Sequence, residues 1–207
     1  MASGVTVTKL DPKVRTLNLR FDQLPHCYNS ERLICSIYPV PIQLTNLTID
    51  EILHSITLDN SFHHSSRKTA YYGDYDYAYS TTLHVKKSIT ETSFLSSCIK
   101  TINQVFPSAE VNSVLINYYP NGKSVIPFHS DNEPSICQNS SIFTYSIGQS
   151  RTMLFRDLIT KKLLCKTRLD HNSLIIFPKL SQSCFEHSIV ADNSVDPRLS
   201  LTFRRLK

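Results

Sequence analysis

The chain has 207 residues, of which 41% are hydrophobic and 19% charged. This composition excludes a disordered chain, and at roughly 150 residues per domain the length predicts one globular domain, or one domain with an arm. The formal net charge of +5 permits a polyanionic partner without requiring one. We expect neither a membrane span nor secretion, because no stretch approaches the roughly 20 apolar residues that a span needs and residues 1–25 lack the apolar core of a signal peptide.

The first part of the chain predicts an arm and a helix. Residues 1–65 carry no motif that indicates chemistry, and we interpret them as an N-terminal arm and helical extension, apart from a domain that spans residues 66–207. Within the arm, apolar residues recur at helical spacing over 48–58.

A tyrosine-rich segment follows at residues 70–80. Tyr75, Tyr77 and Tyr79 alternate there, so in a strand their rings share one face. Taken alone, the segment predicts a hairpin that covers the core.

The clearest helix is predicted over residues 90–106, with Thr90 as its cap. Helical spacing places its apolar residues on one face. These residues are Phe94, Leu95, Cys98, Ile99, Ile102 and Val105.

Beyond residue 110 the pattern becomes extended. A strand over 114–119 ends at the turn signal Pro120-Asn121-Gly122. Further short strands are predicted over 141–148, 152–155, 163–168, 173–177 and 199–203. A helical first half followed by many short strands predicts an α+β protein whose second half is a β-sandwich or barrel.

Three residues of this second half form a candidate metal site. His129 and Asp131 are two positions apart, which in a strand places both side chains on one face, and His187 lies farther along the chain. Two histidines and one carboxylate are the ligand set of non-haem Fe(II) oxygenases. In isolation the pattern is weak, since surface and core histidines produce such triples by chance.

A polar face is predicted on the strand near residue 200. In an extended chain, Arg198, Ser200, Thr202 and Arg204 point to one side. Two arginines suit a dicarboxylate, because guanidinium binds carboxylate in a bidentate fork. Taken alone, a solvated edge strand is the simpler interpretation.

Taken together, the motifs favour a functional site over the simpler interpretation of each motif alone. In chain order they are Asn117-x-Tyr119, His129-x-Asp131, His187 and Arg198-x-Ser200-x-Thr202-x-Arg204. This order closely resembles the AlkB family, Fe(II)- and 2-oxoglutarate-dependent dioxygenases that oxidatively dealkylate nucleic acids. The resemblance runs from about residue 68 to 205. It implies a double-stranded β-helix, or jelly roll, with helices packed on one sheet and an N-terminal nucleotide-recognition lid at about residues 67–82.

The resemblance also implies roles for the motif residues. The implied ligands of Fe(II) are His129, Asp131 and His187. Arg198, helped by Tyr119, would pair with the distal carboxylate of 2-oxoglutarate, and Arg204 and Asn117 would hold the carboxylate next to the metal. Ser200 stands where the family often has asparagine, so its contact is carried over less directly. O2 is the second co-substrate.

Substrate-binding residues are expected in the lid and beside the metal. An aromatic ring of the lid would stack on a flipped base, and the candidates Tyr71, Tyr72 and Tyr77 stay open. Glu133 would approach the exocyclic amine of that base. Arg67 is a candidate contact to phosphate. On charge alone, so are Arg151 and Arg156.

The implied function is oxidative demethylation of bases of the 1-methyladenine or 3-methylcytosine type in RNA or single-stranded DNA. No obligate protein partner is evident. The compact form resembles AlkB-like domains in replicase polyproteins of plant-infecting RNA viruses, which predicts the host cytoplasm; a cellular protein would be cytoplasmic or nuclear. Two alternatives stay open: a dioxygenase of the same fold acting on a protein or lipid, and a catalytically silent nucleic-acid-binding module.

Overall fold

The computed structural model describes residues 15–18, 33–39, 44–59, 66–79, 82–178 and 181–207. Its helices are α1 (Ile49–Ser55) and α2 (Ser93–Val105). Its strands are β1 (Arg15–Asn18), β2 (Leu33–Pro39), β3 (Lys68–Gly73), β4 (Tyr77–Tyr79), β5 (Thr82–His84), β6 (Ser113–Tyr119), β7 (Ile126–His129), β8 (Ile142–Gly148), β9 (Arg151–Asp157), β10 (Leu163–Leu169), β11 (Ser173–Phe177), β12 (Phe185–Ile189) and β13 (Arg198–Arg204).

The strands form two facing antiparallel sheets and a hairpin. The larger sheet has seven strands in the order β1-β2-β11-β8-β13-β6-β3, and the smaller has four in the order β10-β9-β12-β7. β4 and β5 form the separate hairpin. One cluster of buried apolar side chains lies between the sheets, and a second lies between the larger sheet and the helices. This is the expected jelly roll with helices packed on one sheet.

Strand β13 shows how alternation builds the interior. Leu199, Leu201 and Phe203 belong to the core on the helix side. Arg198, Arg204 and the two hydroxyl residues between them line a cavity on the other side. The predicted division of this strand into an apolar and a polar face is therefore confirmed, but the polar face is buried and is not a solvated edge.

The helices follow their predicted apolar faces with two corrections, which concern Val105, exposed at the end of α2, and the cap at Thr90. Phe94, Leu95, Cys98 and Ile102 of α2 are buried against the sheet. Thr90 does not cap α2, because it lies in a 3-10 turn over Ile89–Glu91 and α2 starts after it. Among the described residues, neither helix is long and apolar enough to cross a bilayer.

The predicted strands over 114–119, 141–148, 152–155, 163–168, 173–177 and 199–203 correspond to β6, β8, β9, β10, β11 and β13. Five strands had no prediction: β1, β2, β5, β7 and β12. The arm is part of the fold, because β2 pairs with β11 and Ile52 of α1 is fully buried.

Candidate active site

The polar cavity lies between the two sheets. β6 contributes Asn117 and Tyr119, and β13 contributes its polar face. These strands are hydrogen-bonded neighbours, with Arg198 opposite Tyr119 and Ser200 opposite Asn117. The facing sheet supplies His129 from β7 and His187 from β12. The fold thus brings every residue of the predicted metal and 2-oxoglutarate sets to one cavity.

The three predicted metal ligands converge. The ligand atoms of His129, Asp131 and His187 all lie within 4.8 Å of one another. The two histidines face each other in the β7–β12 register, and their ring centroids are 4.3 Å apart. Asp131 does not lie in the strand, since β7 ends at His129. Its position comes from the following loop, where its backbone N–H donates to Gln182 Oε1 at 2.9 Å.

Both histidines are in the form that binds a metal. His129 Nδ1 lies 2.8 Å from the carbonyl oxygen of Pro127. With that nitrogen as the donor, the Nε2 lone pair is left for a cation. Burial lowers the pKa of His129, and burial together with His129 lowers the pKa of His187 to about 3. Both imidazoles are therefore neutral near pH 7, as metal ligation requires.

Asp131 is shared between a buried arginine and the metal position. Arg204 Nη2 donates to Asp131 Oδ2 at 2.8 Å. Burial raises the pKa of Asp131, but Arg204 and the two histidines outweigh it and hold that pKa at about 2. Among the described residues, Oδ1 has no hydrogen-bond partner, and it lies 3.8 Å from His129 Nε2. The carboxylate of Asp131 is thus ionised and buried, and its Oδ1 lies close to His129. This arrangement fits a bound cation.

Arg198 forms the other end of the cavity. It is 1% exposed, and its Nη2 donates to Ser146 Oγ at 2.9 Å. Within the part of the chain that the structure describes, its Nε and Nη1 have no hydrogen-bond partner. A buried guanidinium with free donors is costly unless an anion pairs with it. The distal carboxylate of 2-oxoglutarate fits this position.

Asn117 is oriented by Arg67. Arg67 Nη1 donates to Asn117 Oδ1, which leaves the amide N–H groups of Asn117 as donors for a carboxylate. Arg67 is 5% exposed. It therefore lies inside the site against Asn117, and not at the surface where a contact to nucleic-acid phosphate was expected.

The three candidate tyrosines lie in different surroundings. Tyr72 belongs to the helix-side core, where its hydroxyl accepts from Thr57 N–H, so its assignment to the substrate site was wrong. Tyr71 is buried and donates to the carbonyl oxygen of Tyr75 at 2.6 Å. Tyr77 lies beside the site, with its ring centroid 5.3 Å from the Arg204 guanidinium carbon.

Glu133 completes this side of the site. Burial raises its pKa, the charge of Asp131 adds to that rise, and Arg204 and Tyr77 act in the opposite direction. Its Oε2 is buried without a hydrogen-bond partner among the described residues. A partly buried carboxyl group beside a phenol is suited to the edge of a base.

Sequence reasoning missed Ser146 and Gln182, and it misplaced Arg151. Ser146 had a usable signal, since it shares one face of the central strand β8 with a second hydroxyl residue, Thr144. Gln182 had none, because its contact is to a backbone N–H. Arg151 is 1% exposed, so the expectation that it faces nucleic acid was wrong. Arg156, on the opposite face of β9, has a partly exposed side chain and pairs with Glu186.

Comparisons with known proteins agree with this geometry. Residues 52–204 match the family model of the 2OG-Fe(II) oxygenase superfamily. Human alpha-ketoglutarate-dependent dioxygenase alkB homolog 3 is 30% identical over 150 residues, which is 67% of this chain and 51% of that protein. The DNA oxidative demethylase ALKBH2 of Bos taurus is 28% identical over 166 residues, or 74% of this chain and 58% of that protein.

A solved structure supports the fold. The structure of OsALKBH1 superposes with a TM-score of 0.53 at 13% identity, covering 86% of this chain and 99% of that chain. The chain spans about half the length of the alkB homolog 3 proteins that it matches.

Proposed function

This chain belongs to the 2OG-Fe(II) oxygenase superfamily, and from that premise we propose that it demethylates N-alkylated bases in RNA or single-stranded DNA. As a member of this superfamily it is a dioxygenase that uses Fe(II), 2-oxoglutarate and O2. The proposed substrates are bases of the 1-methyladenine and 3-methylcytosine type. The proposed partners are the methylated strands themselves, with no obligate protein partner.

The residues of the cavity would bind different parts of the metal and co-substrate complex. His129, Asp131 and His187 would hold Fe(II), Arg198 would bind the distal carboxylate of 2-oxoglutarate, and Asn117 would bind the carboxylate next to the metal. When bound, Fe(II) and 2-oxoglutarate supply O2 activation. The overall reaction converts 2-oxoglutarate, O2 and an N-methyl group into succinate, CO2, formaldehyde and the unmethylated base.

Placement of the substrate is the work of the protein. Arg204 holds Asp131 ionised and also contacts Tyr77 of the lid. The same arginine therefore links the metal side of the cavity to the substrate side. An enzyme that acts on a base takes that base out of the stack and holds it in a pocket. The substrate side of the cavity would form a wall of this pocket.

One observation carries the choice of substrate: Tyr77 and Glu133 both interact with Arg204, which donates to Asp131 of the metal triad. A carboxyl group can accept from an exocyclic amine, and its negative charge suits a cationic methylated base. The similarity to relatives named as a dioxygenase alkB homolog and a DNA oxidative demethylase points to the same substrate class.

Mass spectrometry on short RNA and DNA strands tests the proposal. Each strand carries one 1-methyladenine or 3-methylcytosine and is incubated with the protein, Fe(II), ascorbate and 2-oxoglutarate. We expect the loss of one methyl mass, dependent on 2-oxoglutarate and absent in His129→Ala.

Succinate formation without loss of methyl from any strand would contradict the substrate and favour a protein or lipid. Binding of the strands without any succinate formation would favour a silent binding module.

A further inference from the structure

Arg151, which the proposed reaction does not use, is the most heavily bonded buried side chain near the cavity. It begins β9 and is 1% exposed. Its Nε forms an ion pair with Asp192 Oδ2 at 3.1 Å. Its two terminal nitrogens donate at 2.7 to 3.2 Å to four backbone carbonyl oxygens, those of Asn121, Gly122, Ser124 and Val190.

These contacts join two loops that each begin next to a residue of the cavity lining, Tyr119 for the first and Ile189 for the second. The first loop follows Tyr119 at the end of β6, and the second follows β12. Gly122 N–H donates to Ser194 O at 2.8 Å, and Asp192 N–H donates to Gly122 O at 3.0 Å. A Cβ at Gly122 would collide with Asp192 Oδ1 and with the Asp192 backbone, so the two loops touch too closely there for a larger residue.

The guanidinium of Arg151 also faces the ring of Tyr119. Its central carbon lies 5.7 Å from the ring centroid, and that of Arg198 lies 5.1 Å from the same centroid. Tyr119 is 2% exposed, so both cations contact this ring in the interior, where such contacts are strongest. Burial lowers the pKa of Arg198, and the charge of Arg151 contributes to the lowering.

We propose that Arg151 is a positioning residue for 2-oxoglutarate, holding Tyr119 and the two loops so that Arg198 presents its free donors to the distal carboxylate. The role needs arginine, because a planar guanidinium spreads its N–H donors over three nitrogens and can face the carbonyls of both loops and the Asp192 carboxylate at once, whereas lysine has one nitrogen with three donors. The inference rests on the 2-oxoglutarate site and not on the proposed nucleic-acid substrate.

The test is a binding measurement that needs no turnover and no nucleic acid. Calorimetry on the Mn(II)-loaded protein compares 2-oxoglutarate with 2-oxopentanoate, which has the same carbon chain without the distal carboxylate. For Arg151→Lys we expect the Kd of 2-oxoglutarate to rise about tenfold, the scale of one charge-assisted hydrogen bond, and the Kd of 2-oxopentanoate to stay within about twofold.

Arg156→Lys is the matched control, since Arg156 lies on the same strand but on its opposite face. We expect both Kd values to be unchanged in this variant. A wild-type Kd for 2-oxoglutarate in Arg151→Lys, or an equal rise for both ligands, would overturn the proposal, because a merely structural defect does not distinguish the two ligands.

A second variant covers a failure of Arg151→Lys to fold. Asp192→Asn keeps the guanidinium and its four carbonyl partners but removes the anionic partner. We expect a rise of about threefold in the Kd of 2-oxoglutarate alone. An unchanged Kd in Asp192→Asn would then count against the proposal.

Discussion

At the scale of single residues, Arg204 connects the parts of the site. It donates to Asp131, and its guanidinium faces the ring of Tyr77. Although burial opposes the charge, Asp131 raises the pKa of Arg204. Because the ion pair is already formed, the carboxylate is ionised and oriented before any metal arrives, and this lowers the entropy lost on metal binding.

Asp131→Ala is expected to have two separable effects. Mn(II) binding should be lost, since two histidines alone hold such a cation poorly. The metal-free protein should lose about 3 kcal/mol of unfolding free energy, because Arg204 is left as a buried, unpaired charge. Calorimetry and urea unfolding followed by circular dichroism measure the two effects.

Asp170→Ala provides the comparison for Asp131→Ala. Asp170 pairs with Arg168 at 2.9 Å, but its side chain is 60% exposed, and surface pairs of this kind contribute about 0 to 1 kcal/mol. We expect neither metal binding nor stability to change appreciably. If Asp131→Ala were as stable as Asp170→Ala, the buried pair of Arg204 and Asp131 would contribute nothing to the stability of the metal-free protein.

At the scale of secondary structure elements, strands that carry functional polar residues are difficult to predict from sequence, because those residues interrupt the apolar pattern. β11 and β13 were predicted because their apolar residues are continuous or alternate. β7 reads Ile-Pro-Phe-His and β12 reads Phe-Glu-His-Ser-Ile, so the apolar pattern is interrupted by a proline in β7 and by three consecutive polar residues in β12. The strands that carry the metal histidines were therefore missed as strands, although both histidines were predicted as ligands.

Strands β3 and β4 place tyrosines on opposite sides of the larger sheet, and this gives a test of the lid. Tyr77→Phe should lower kcat/KM on a methylated strand about fivefold by removing one hydrogen-bonding hydroxyl beside Glu133. The matched Tyr72→Phe should leave kcat/KM unchanged, because Tyr72 lies in the helix-side core.

Formaldehyde release under steady-state conditions gives both kcat/KM values. Equal losses in the two tyrosine variants would mean that Tyr77 acts through stability and not at the substrate.

At the scale of the whole molecule, the larger sheet contains strands from both sides of the predicted domain boundary at residue 65. β2 lies between β1 and β11, and Ile52 and Ile56 pack in the helix-side core. A chain that starts at residue 66 should therefore fail to fold, because β11 keeps only β8 as a partner and becomes an exposed sheet edge, and the core loses α1. Circular dichroism and calorimetric 2-oxoglutarate binding check this; cooperative unfolding with retained binding would contradict it.

Sequence analysis found the site residues that belong to a known motif. His129, Asp131, His187 and Arg198 were found because their types, order and spacing match a known motif. Arg151 was misplaced, because its partners are backbone carbonyls, and carbonyls leave no mark on the sequence. Tyr72 was assigned to the substrate site because neighbouring tyrosines look alike until the pleat of β3 is fixed by its register with β6.

The position of β13 has a consequence for biosynthesis. This strand lies inside the larger sheet, hydrogen-bonded to β6 and β8, yet the ribosome makes it after both of them. Until residues 198–204 emerge, the nascent sheet has a gap between β6 and β8, and Arg198 and Arg204 of the cavity are not yet made. Such distant pairings make folding slow, so the growing chain exposes the open edges of β6 and β8 until β13 emerges, and it cannot complete its co-substrate site before then.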